Sequence, residues 1–190
     1  MEMMQMTPER EIRAVYNDKT IRVYQAYNAA IASEAVRLGT FGSRFSLERM
    51  TWIKPSFLWM MYRCGWAKKE NQEHVLAIDI LRSGFDYAVQ NAVLSTYQPD
   101  SELTLPEWQT ALKSGDIRVQ WDPEKDISGN NLPYRSIQIG LRGDAVRHYV
   151  SEWITAVTDI TETVRDLDAR RQRGEHIAGL LPQERPYPLG

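Results

Sequence analysis

The sequence predicts an α+β domain with a mixed, mostly antiparallel central sheet flanked by helices. Three observations point there. β-rich runs alternate with helical ones, but the connections vary too much in length for a regular βαβ series. No glycine-rich phosphate turn follows the first strand, which argues against a doubly wound nucleotide fold. Hydrophobic residues make up 43% and charged residues 25% of 190 residues, enough to build one core and too apolar for global disorder.

The first dozen residues read as a loose leader, with Pro8 able to start a short helix at Thr7. Thr20–Tyr27 reads as a strand, with Ile21, Val23 and Gln25 on one face and Arg22 and Tyr24 on the other. Asn28 fits an N-cap and Gly39 a C-terminal stop, bracketing a helix over Ala29–Leu38 with a predicted buried stripe of Ile31, Ala35 and Leu38. Pro55 suits the first turn of a helix reaching about Arg63, apolar on nearly every side. Val75–Ile80 reads as a buried strand, Phe85–Leu94 as a helix, Pro99–Pro106 as a loop and Glu107–Leu112 as a short helix.

Ile117–Trp121 alternates as a strand that closes at Asp122-Pro123, and Ser128–Asn131 reads as a turn. Arg135–Leu141 is a further strand, with Ile137, Ile139 and Leu141 on one face. Val146, Tyr149, Val150, Trp153 and Ile154 recur at helical spacing after the break at Gly143-Asp144. A strand over Ala156–Thr161 and a charged, solvated helix over Glu162–Arg173 complete the domain, taken as residues 1–179. Residues 180–190 carry Pro182, Pro186 and Pro188 and read as an extended tail.

Several function classes are excluded early. Cys64 is the single cysteine, so neither an intrachain disulfide nor a cysteine-based zinc site can form. His74, His148 and His176 show no metal-ligand spacing, and no metal is expected. No apolar run reaches membrane-spanning length, and segment 1–13 lacks the apolar core of a signal peptide, so a cytoplasmic protein without a membrane partner is expected. The formal net charge of -2 speaks against nucleic-acid binding through bulk charge, though a local basic patch remains open. The common phosphate-loop, dinucleotide and nucleophile-elbow motifs are absent.

What remains is the aromatic and basic segment Phe45–Trp66. Either its aromatics and methionines are core, with the basic heads reaching solvent, or Arg49, Lys54 and Arg63 surround a ligand pocket in which Trp52 or Trp59 stacks on a ring. Lys54 and Ser56 stand at a helix N-terminus, where free N–H groups and the positive dipole end attract a phosphate. Tyr24 and Tyr27 either pack the sheet or wall a pocket at the strand end. Glu124, beside Asp122, is either a solvated turn residue or a carboxylate at a pocket rim. Arg135 and Gln138 either face solvent or make polar contacts.

The run Arg49–Arg63, preceded by Val23–Asn28 and followed by Tyr134–Leu141 and Leu180–Leu189, resembles the family called domain of unknown function 4291 over nearly the whole chain. Val23–Gly39, a strand opening Val-Tyr and leading into a helix that ends in glycine, also resembles ADP-ribosyltransferase-like folds. That second resemblance implies an NAD cleft between small sheets, a basic residue on the first strand, a hydroxyl or aromatic in the middle and a late glutamate. Gln25 stands near the first-strand position with Arg22 close by, and Glu124 is the implied late acid. The implied activity is transfer or hydrolysis at the nicotinamide–ribose bond of NAD. Tyr24, Tyr27 or a tryptophan such as Trp59 would hold the nicotinamide end. Lys54, Arg49 and Arg63, with Ser56, would hold the diphosphate, and Arg135 would add a polar contact. The acceptor would be a nucleic acid or a protein. The rival expectation is a non-enzymatic module that binds a nucleotide, RNA or single-stranded DNA with the same residues.

Overall fold

A computed structural model describes residues 8–190. The expected helix start at Thr7 falls outside them. Among the described residues the chain forms an α+β domain of six α-helices and three sheets, not one central sheet. β2 (Thr20–Tyr27), β4 (His74–Leu81) and β8 (Ile154–Asp159) pair antiparallel in the order β2-β4-β8. β3 (Thr51–Ile53), β7 (Asn131–Leu141), β6 (Ile117–Lys125) and β5 (Val93–Leu94) form the second sheet, in which only β5 and β6 run parallel. β1 (Arg13–Ala14) and β9 (Arg185–Pro186) make a two-stranded ribbon. The two larger sheets meet at one bridge between Tyr24 and Lys54, where the Tyr24 N–H donates to the Lys54 carbonyl at 2.8 Å.

The main core is the alternation of these strands made physical. Ile21 and Val23 of β2, Leu76, Ile78 and Ile80 of β4, and Ile137, Ile139 and Leu141 of β7 are all sealed from solvent in one cluster. A second cluster packs Tyr24, Val75 and Ala77 against α2 (Phe57–Cys64) and α6 (Thr161–Gln172). Both faces of β4 are therefore covered, which explains its continuous apolar run from Val75 to Ile78.

α1 (Ala29–Leu38) starts and stops as its sequence signals require. The Asn28 side chain accepts the Ile31 N–H at 3.1 Å, and Gly39 adopts φ 73°, a left-handed conformation that glycine enters without a Cβ penalty. Its buried face is set by Ala32 and Ala35, however, and Leu38 is 47% exposed, so the expected stripe is rotated. Small residues there let the helix lie close to the sheet.

Other differences concern boundaries. Pro55 precedes α2, which Ser56 caps by accepting the Trp59 N–H at 3.0 Å. α3 spans Arg82–Gln90 and gives way to β5, and α4 spans Leu105–Ser114 behind a Thr104/Glu107 capping box. β6 does not close at Asp122-Pro123. It runs on to Lys125 through a register shift, because proline lacks the N–H that a regular ladder needs there. α5 (Gly143–His148) passes into a π-helical turn at Tyr149–Trp153, a wider turn that seats Tyr149 and Trp153 inward. In α6, Asp168 is not solvated as expected. It is 3% exposed and accepts hydrogen bonds from Lys68, Arg171 and Gln172.

The C-terminal segment is bound back onto the domain. β9 pairs with β1, Tyr187 is buried and donates to Asp86 at 2.6 Å, and Arg82 donates to the Pro188 carbonyl at 3.0 Å. Among the described residues no helix is long and apolar enough to cross a membrane.

Candidate functional site

A cavity of about 830 Å³ opens where β2 ends, beside β3 and the loop that precedes it. Four cationic side chains line it: Arg44 and Arg49 from the loop, Lys54 just past β3, and Arg63 from the last turn of α2. No carboxylate is among the lining residues, whose other polar members include Gln25, Tyr27, Thr51, Gln120 and Gln138. The three arginines are exposed at the rim, whereas Lys54 is only 5% exposed.

Lys54 is the chemical centre of the cavity. Its ammonium donates to the Trp52 carbonyl at 3.2 Å and forms no salt bridge among the described residues. Burial, reinforced by the positive charge of Arg63, lowers its pKa from 10.5 to about 8. A cation held so deep without an ion-pair partner is costly, and a bound anion would relieve that cost.

A hydrogen-bond chain defines the neighbouring wall. Gln25, 3% exposed, donates from Nε2 to the Tyr27 hydroxyl at 2.7 Å and to Thr51 Oγ1 at 2.9 Å. Its Oε1 accepts from the Tyr149 hydroxyl at 2.6 Å. Tyr27 and Thr51 lie 3.1 Å apart, so one hydroxyl donates to the other. Both amide hydrogens of Gln25 are spent, so one hydroxyl hydrogen of the Tyr27–Thr51 pair is left over, on the cavity wall. Burial pushes the Tyr27 pKa up to about 12 and raises that of Tyr149 well above its ordinary value, so both stay neutral donors at physiological pH. Tyr149→Phe keeps the ring but strands the buried Gln25 Oε1. A loss of about 1–3 kcal/mol in urea unfolding is expected; an unchanged midpoint would show that the bond carries no weight.

The expected site residues thus separate. Gln25, Tyr27, Arg49, Lys54 and Arg63 converge on the cavity, and Trp52 stands in its wall. Arg22 does not, since it pairs with Asp79 at 2.8 Å on the neighbouring strand. Tyr24 is 1% exposed and packs edge-on to Phe57. Trp59 stacks on Tyr62 at 5.2 Å, with the Lys125 ammonium over both rings. Arg135 donates to the Trp121 carbonyl at 3.1 Å and pairs with Glu9 at 3.5 Å.

Ser56 and Glu124 lie elsewhere, in a second cavity of about 420 Å³ that they share with Glu184, Arg13 and Tyr134. Ser56 donates to Glu124 Oε1 at 2.9 Å, and burial raises the Glu124 pKa. Lys54 sits in the bridge to Tyr24 while Ser56 already caps α2; the chain turns at Pro55 between them, and the two side chains line different cavities. The helix N-terminus expected to attract a phosphate is already served from within, because Glu184 accepts the Phe57 N–H at 2.6 Å.

Arg44, Thr51 and Gln120 were not identifiable as site residues from sequence. They meet only through the β3-β7-β6 pairing and the fold of the loop before β3. No linear spacing signals them.

No curated protein and no solved structure matches the chain significantly. Residues 11–187 match the family described as a domain of unknown function, DUF4291, and this span covers both cavities and every strand; the chain belongs to the DUF4291 family.

Proposed function

We propose that the cationic cavity binds a nucleotide carrying a diphosphate, with NAD and ADP-ribose as the first members of that class to examine. The observation that carries this reading is the lining: four cations, one of them buried without an ion-pair partner, and no carboxylate. The volume lies within the range typical of small-molecule sites. Trp52 supplies a flat apolar wall on which a base or nicotinamide ring can lie. The cavity's position between two small sheets, with the Thr51 hydroxyl in its wall, supports the ADP-ribosyltransferase-like reading of the ligand, although Gln25 of β2 stands where that resemblance implies a basic residue.

The chemical half of that reading has less support. Stabilising an oxocarbenium-like ribose calls for a nearby negative charge. Glu124 faces the second cavity, and the first offers glutamine amides instead. Binding is therefore placed ahead of bond cleavage.

Isothermal titration of the full chain tests this. NAD or ADP-ribose is expected to bind, and adenosine, which lacks phosphate, is not. Arg63→Ala is expected to weaken binding about fivefold, as befits a solvent-screened contact. Absence of heat with both NAD and ADP-ribose at millimolar concentration would overturn the reading. Nicotinamide release, assayed separately, decides whether binding leads to chemistry.

A further inference from the structure

Gln120 and Gln138 face each other directly across β6 and β7, and both line the cationic cavity. Asp122, two residues along β6 and on the same side of the strand, lies behind them. Gln120 Nε2 donates to Asp122 Oδ1 at 2.9 Å, and Gln138 Nε2 donates to Oδ2 at 2.6 Å. An ionised carboxylate only accepts, so it turns the amino end of each amide toward itself. Each amide oxygen then points away from Asp122, and neither has a donor partner among the described residues.

We infer that Asp122 is a positioning residue that turns the Gln120 and Gln138 carbonyl oxygens toward the cavity, and that the ligand carries neutral hydrogen-bond donors, the hydroxyls of a sugar, beside its phosphates. The inference rests on the diphosphate-nucleotide reading above and deepens it, giving the sugar hydroxyls their own pair of acceptors, which inorganic polyphosphate could not use. Directly opposed residues on antiparallel strands stand about 5 Å apart. Two acceptors at that spacing can each take one hydroxyl of a vicinal diol. A cationic donor is disfavoured at the same place, because Lys54 and three arginines line the cavity. The Asp122 charge also favours the protonated form of Lys54, so one carboxylate serves both ends of the ligand.

The test is a ratio. The wild-type chain and Asp122→Asn are titrated with ADP-ribose and with inorganic pyrophosphate. Asparagine presents one acceptor and one donor, so one glutamine must turn over and offer its amino group to the cavity. Asp122→Asn is expected to lose about tenfold in ADP-ribose affinity beyond any loss for pyrophosphate, the weight of a mispaired hydrogen bond. Gln138→Met, which keeps the carboxylate, is expected to shift the ratio the same way and serves should Asp122→Asn fail to fold. Equal losses for both ligands would mean that Asp122 acts only through Lys54, and would overturn the inference while the phosphate reading stands. So would wild-type protein that binds pyrophosphate as tightly as ADP-ribose. Wild-type protein that binds neither ligand removes the phosphate reading and the inference together.

Discussion

Lys54→Met is expected to stabilise the unliganded protein at pH 7 while weakening diphosphate binding at least tenfold. The two effects share one origin. Folding takes the Lys54 ammonium out of water and gives it only the Trp52 carbonyl as a hydrogen-bond partner in return. A fall in pKa from 10.5 to about 8 corresponds to about 3 kcal/mol of penalty on the charged form. Methionine has a similar length and no charge, so much of that penalty vanishes, and a gain of about 1–3 kcal/mol in urea unfolding is expected. The sign of the pH dependence is opposite to that of an ordinary ion pair. A depressed folded-state pKa means that Lys54 by itself adds stability as pH climbs from about 8 toward 10.5, where the unfolded chain also loses the proton. The raised Cys64 and Tyr27 act the other way, so the wild type and the variant are compared as a difference. The Lys54 contribution disappears in the variant. Binding moves the other way, because a buried cation reaching an anion makes a charge-assisted hydrogen bond worth about 1.5–3 kcal/mol. A Lys54→Met protein that is less stable, yet binds ADP-ribose as the wild type does, would mean that the lysine is a packing element and the cavity is not organised around it.

The residues that were legible in the sequence are those whose partners lie within one turn or one strand. Asn28 reaches only to Ile31, and Gly39 needs only its own backbone freedom, so α1 could be bounded at both ends. The alternation of Ile137, Ile139 and Leu141 needs no knowledge of what covers them. Leu38 shows the limit, since periodicity states that a helix has an apolar face but not how closely the sheet approaches it; two alanines won that contact. The site follows the same division. Lys54 and Arg63 stood out because cations within an apolar run are conspicuous in any fold. Which cavity Glu124 lines could not be read locally, because the register shift in β6 after Pro123 turns it inward to Ser56. Asp122 and its two glutamines become a unit only across paired strands, and Glu184 reaches Phe57 from 127 residues away. Such contacts arise from sheet pairing and tail docking, which no local pattern encodes.

The Glu184 contact sets the second large expectation, a loss of stability as pH rises from about 5 to 8. Glu184 is drawn into the second cavity, where burial raises its pKa from 4.5 to about 8, with the negative charge of Glu124 adding to the effect and Arg13 opposing it. A raised folded-state pKa means that the native protein holds a proton the unfolded chain has released. Stability from this group is therefore complete below about pH 4.5, declines above it and is gone once the folded carboxyl ionises near pH 8. Glu124 is raised by burial too and acts in the same direction. Lys54 does not mask the effect, since it is protonated in both states until pH nears 8. Urea unfolding across this range is expected to fall by about 3 kcal/mol, less than the full shift because the segment carrying Glu184 is only half-buried. Glu184→Gln keeps an oxygen for the Phe57 N–H and cannot ionise, so the slope should flatten while stability at pH 5 changes little. Hydrogen exchange at Phe57 gives the local reading, because ionisation drives the carboxylate toward water and loosens the tail from the start of α2. A variant with the wild-type slope would place the titrating group elsewhere, with Glu124 the next carboxyl to replace.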